Sequence, residues 1–82
     1  MDAKVVITYA GTTGDLPTPM DYDASDADIR RWATESVQTG SVAGIAADPT
    51  ADLSDFIIDR SPANEERPTP LILVRPKTAF GV

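Results

Sequence analysis

Only one stretch of this chain reads as an α-helix, which restricts the fold to a sheet with a single helix laid against it. Ser25-Asp26-Ala27-Asp28 sets a capping hydroxyl three residues ahead of an acid, and Asp26 and Asp28 suit the positive end of a helix dipole. Ile29, Trp32, Ala33, Ser36 and Val37 then recur at helical spacing, while Arg30, Arg31 and Glu35 fall on the other side. Gly40 supplies the left-handed residue that commonly closes such a helix. The pattern predicts a helix over residues 26–38 with Trp32 in its core-facing stripe.

Around that helix the chain alternates strands with turns. Residues 4–10 are β-branched and aromatic, with Val5, Ile7 and Tyr9 on one face. Gly11-Thr12-Thr13-Gly14-Asp15 is a turn cluster that would return the chain as a second strand over Leu16–Tyr22. Pro17 and Pro19 keep that strand at an edge, because proline donates nothing to a ladder. Residues 41–52 are small and carry no regular period. Phe56–Asp59 reads as a third strand, Ser61–Thr69 as a solvated loop, and Leu71-Ile72-Leu73-Val74 as the most core-like run. A run apolar throughout belongs in the middle of a sheet, parallel to the first strand. The expected class is α+β: a mixed sheet of four to five strands with one helix packed on one face.

The chain has 82 residues, enough for one domain, and a domain this small buries only about 60–65% of its unfolded surface. It contains neither cysteine nor histidine, so no disulfide staples it and the two residues that supply most zinc ligands are missing. Thirteen acidic residues against seven basic ones give a net charge of −6, which argues against nucleic acid or anionic lipid as a partner. Solubility, a basic partner surface or life at high salt accounts for such a balance. No segment reaches the roughly 18 apolar residues of a membrane span, and no signal-peptide core opens the chain, so the expected location is cytoplasmic.

Candidate chemistry is thin. Gly11-Thr12-Thr13-Gly14 lacks the Gly-Lys-Ser/Thr ending and the following helix of a phosphate loop. Asp21, Asp23 and Ser25 match the opening of a calcium loop, but Asp26 stands where that loop needs glycine and Trp32 where it needs a bidentate Glu. Asp52/Asp55 and Glu65/Glu66 lie among turn signals, and no histidine is present to activate a serine. These residues predict no catalytic group, no cofactor and no metal. A protein contact is the remaining expectation. With Leu71 and Leu73 turned inward, Ile72 and Val74 would point outward and join Val6 and Ile57 in an apolar patch on the open face of the sheet.

A hairpin, an amphipathic helix begun by a Ser25/Asp26 cap, and a final aliphatic strand running into a basic tail resemble the ubiquitin-like β-grasp family. The resemblance covers Lys4–Ala10, Leu16–Tyr22, Asp26–Gln38, Phe56–Asp59 and Leu71–Arg75. It implies a β-grasp domain over residues 1–76 and an exposed tail over 77–82. It also implies a role as a protein modifier or docking module, with the recognition patch on Ile57, Ile72, Val74 and Val6. In conjugated members a tail glycine is adenylated by an activating enzyme and joined to an amine, a role that only Gly81 fits. Val82 follows it and would require a processing protease, and Phe80 stands where the family has a small residue. The cysteine-free, Ala- and Asp-rich composition resembles bacterial members encoded beside conjugating enzymes. Two other readings suit the same residues: a non-conjugated subunit of a bacterial or phage assembly, and an acidic immunity or mimic protein occupying a basic site.

Overall fold

The structure is a computed structural model, and it describes residues 1–77. Strand β1 (Asp2–Tyr9) turns through Ala10 and Gly11, both at positive φ (+52° and +80°), into β2 (Thr12–Asp15). A two-residue turn with both central residues left-handed matches the twist of the strands it joins. The reversal therefore comes earlier than the Gly11–Asp15 cluster suggests, and Thr12 to Asp15 is ladder, not turn. The second strand expected over 16–22 is also corrected. Leu16 still donates its N–H to the Val5 carbonyl at 3.0 Å, then the prolines interrupt the pairing until a short β3 (Met20–Asp21) rejoins β1.

Helix α1 spans Asp26–Gln38, as its caps predict. The Ser25 hydroxyl accepts the Asp28 N–H at 3.1 Å. At the other end Gly40 lies at φ +73°, and Ser41 N–H to Ser36 O (2.9 Å) and Gly40 N–H to Val37 O (3.2 Å) form a Schellman closure. The last strands are β4 (Ile57–Ser61) and β5 (Leu71–Arg75). Strand order is β2-β1-β5-β4, with β3 also on β1. Strand β5 runs parallel to β1, Lys4 opposite Leu71 through Ile7 opposite Val74, and antiparallel to β4. The molecule is thus an α+β domain with a mixed five-stranded sheet and one helix, and the aliphatic run is central. No described helix is long and apolar enough to cross a membrane.

The core lies between the helix and one face of the sheet. Val5 and Ile7 of β1 and Ile72 and Val74 of β5 meet Ile29, Ala33 and Val37 of the helix, each no more than 1% exposed. Each of the valine and isoleucine side chains among them contributes on the order of 1.5–3 kcal/mol of transfer free energy. A third contribution comes from the irregular connection 41–56, whose Val42, Ile45, Ala51 and Leu53 are all buried. Its backbone is tied to neighbours all along its length. Ala43 N–H donates to Asp15 O (3.2 Å), Asp48 N–H to Val37 O (3.1 Å), and Leu53 N–H to the Thr34 hydroxyl (3.1 Å), while the Gln38 side chain donates to Ala51 O (2.9 Å). Gly14 is where this connection crosses the hairpin: a Cβ there would run into the Ala43 carbonyl and the Val42 side chain. Trp32 departs from expectation. It is half-buried, and it is not among the partly buried side chains that pack on the core cluster.

Candidate functional site

The face of the sheet away from the helix carries the candidate site, and pairing register decides what stands there. Residues directly opposite across a ladder share a face. Val6 is opposite Asp15 on β2 and Leu73 on β5, and Leu73 is opposite Asp59 on β4, so one row crosses four strands: Asp15, Val6, Leu73, Asp59. The next row sets Lys4 opposite Leu71 and Leu71 opposite Ser61. On the other side of the central row, Ile57 stands opposite Arg75. Val6, Ile57, Leu71 and Leu73 therefore form one aliphatic strip, each half-buried.

Charged pairs frame the strip on both flanks. Lys4 Nζ lies 3.0 Å from Asp15 Oδ2 on the β2 side, and Arg75 Nε donates to Asp59 Oδ2 at 2.7 Å on the β4 side. All four side chains are about half exposed, so each pair contributes only about 0–1 kcal/mol to stability and is free to answer a partner's charges. At the Leu71 end Arg67 reaches across to Ser61 Oγ at 2.7 Å and to the Pro62 carbonyl at 3.0 Å.

Of the residues expected in a contact patch, Val6 and Ile57 stand on this face. Ile72 and Val74 do not: they are 0% and 1% exposed on the opposite face, under the helix. The reason is register, because β5 pairs Ile72 with Val5 and Val74 with Ile7, the two core residues of β1. Leu71 and Leu73 take their place outside. A signal for this was present in the chain: Arg75 shares their parity, and a guanidinium is costly to turn into a core. Gly81, the expected covalent handle, lies outside the described residues.

The acidic segment before the helix is divided among separate partners. Asp26 receives Arg60 Nη1 at 2.7 Å, Asp28 receives Arg31 at 2.8 Å, and Asp21 accepts the Asp23 N–H at 3.1 Å. Arg60 also donates to the Ala24 carbonyl at 2.6 Å, which ties β4 to the start of the helix. Among the described residues no three acidic side chains converge as they would around a metal ion.

One further polar contact has a resolved electrostatic consequence. Tyr9 donates its hydroxyl to Asp48 Oδ2 at 2.6 Å, and the Tyr9 ring stacks on Phe56 with centroids 6.2 Å apart. The hydrogen bond to Asp48 raises the Tyr9 hydroxyl above its ordinary 10.0; the same bond, with those from Thr50, holds the Asp48 carboxyl below 3.8. Asp52 is lowered likewise by its bonds to the Ser54 backbone and side chain. The hydrogen bonds behind these shifts fasten the 41–56 connection, to β1 through Tyr9 and to itself through Thr50 and Ser54. The sequence matches no protein-family model, no curated protein and no solved structure.

Proposed function

We propose that this chain is a non-enzymatic docking or modifier protein of the ubiquitin-like β-grasp type, engaging a protein partner through the uncovered face of its sheet. The observation that carries the reading is the strip of Val6, Ile57, Leu71 and Leu73 set between two ion pairs. An apolar centre with a charged rim is the anatomy of a protein contact, where buried aliphatic area gives affinity and the rim gives orientation. The hairpin, the single helix and the last strand inserted parallel to the first agree with the β-grasp arrangement that the resemblance implies. Conjugation through Gly81 belongs to the same reading as its covalent form.

A photo-crosslinking residue at position 73, expressed in the native host, tests the docking face. Adducts to a discrete protein from position 73, and none from the buried position 72, are expected. An unmodified chain at both positions, with the protein folded and expressed, overturns the reading. Intact-mass analysis of the same material tests the covalent form, which requires loss of Val82 or an isopeptide through Gly81.

A further inference from the structure

Between the helix and the segment that leaves β2 lies an open groove of about 390 Å³, lined by Leu16, Pro17, Trp32, Glu35, Thr39 and Ser41 among others. We infer that this groove binds an extended peptide segment through an arginine side chain, independently of the sheet face.

Three observations set the chemistry. The first is the tryptophan. Trp32 is the chain's only one, half-buried, outside the set of side chains packed on the core, and part of the groove wall. An indole left with an accessible surface is the strongest aromatic partner for a cation, and a planar guanidinium stacks on it better than an ammonium does.

The second is Glu35. It lies three residues after Trp32, hence beside it on the helix surface, and lines the same groove. Its carboxylate is exposed and makes neither an ion pair nor a side-chain hydrogen bond among the described residues, while five other acidic side chains each hold a cation.

The third is the helix end. Glu35 sits in the last turn of α1, where the macrodipole is negative, and that turn contains no basic residue. A carboxylate there is unfavourable for the helix alone, and a bound cation relieves it. The Thr39 and Ser41 hydroxyls, 2.9 Å apart at the groove's end, offer further acceptors for guanidinium N–H groups.

The groove also suits an extended segment. It is open, and Pro17 walls it where the edge strand has lost its ladder. The chain's net charge of −6 attracts a basic peptide to it.

The test uses the Trp32 indole N–H, a unique resonance in a ¹⁵N spectrum. The full chain is titrated with capped Gly-Arg-Gly-Arg-Gly and with its neutral twin, Gly-Gln-Gly-Gln-Gly. A saturable shift with the arginine peptide only is expected, weakened about five- to tenfold by Glu35→Gln and unchanged by Glu66→Gln, which removes the same charge from a remote loop. Leu73→Asp should leave the titration intact, which separates this groove from the sheet face. The proposal is overturned by the absence of a saturable shift, by an equal response to both peptides, or by equal weakening in the two Gln variants. Because Glu35 is exposed and its side chain makes no hydrogen bond or ion pair among the described residues, its variant tests binding with little effect on the fold.

Discussion

The two faces of the sheet use the same side chains to opposite ends. In β5, Ile72 and Val74 are sealed under the helix, while Leu71 and Leu73, equally apolar and directly adjacent, form the half-buried strip outside. Nothing in the hydropathy of Leu-Ile-Leu-Val separates the pairs. What separates them is which neighbours the pleat assigns: Val5 and Ile7 with the helix on one side, Lys4, Asp15, Asp59 and Arg75 on the other. The comparison teaches that an aliphatic residue's role is set by register, and that a one-residue slip of β5 would exchange core and contact surface.

The sharpest way to break that comparison is to truncate one residue from each face. Ile72→Ala should lower unfolding stability by about 3–4 kcal/mol in urea titration, against less than about 1 kcal/mol for Leu73→Ala. Equal losses would mean that the faces are wrongly assigned. Gly14→Ala comes next, with an expected loss of about 2 kcal/mol in the same assay, because the added methyl meets the Ala43 carbonyl, a backbone atom on the core side that cannot swing away.

A smaller, pH-dependent effect sharpens the picture at the core's margin. Because the folded carboxyl of Asp48 titrates below 3.8, its contribution to stability is complete above that value and is lost as the pH falls through the folded value. Tyr9 is raised above 10.0, so its contribution is complete below 10.0 and is lost as the pH rises through the folded value. Tyr9→Phe should therefore lower Tm across a plateau from about pH 5 to pH 9 and converge with the parent chain at both extremes. Smallest of all is the rim: Arg75→Ala should change stability by no more than about 0.5 kcal/mol in urea. A loss as large as that of Ile72→Ala would make the rim structural.

Much of the architecture was legible in the chain because local chemistry dictated it. The Ser25 cap and the Gly40 closure bound the helix at both ends, and the unbroken apolar run of residues 71–74 marked the central parallel strand. Three things were not legible. The connection 41–56 contributes Val42, Ile45, Ala51 and Leu53 to the core without any repeating period, since irregular backbone presents side chains at irregular angles. The facing of Ile72 and Val74 depended on a long-range register that hydropathy does not encode, although Arg75 hinted at it. Trp32 shares the spacing of the buried stripe yet sits at its edge, where a 100° step carries a large ring past the core and into the groove.

The position of β5 also carries a kinetic consequence. Lys4 pairs with Leu71, so the centre of the sheet cannot close until nearly all of the described chain is available. At translation rates of about 5–20 residues per second, the first hairpin waits several seconds on the ribosome before its inner neighbour emerges. Contacts this distant in sequence also slow the search itself, because most of the loop-closure entropy is lost before the core rewards it. Until then Val5 and Ile7 lack Ile72 and Val74 beside them in the sheet, and the face that the helix covers is incomplete. Folding should therefore be a single late event, and the nascent chain should resist aggregation chiefly through the mutual repulsion of its acidic residues.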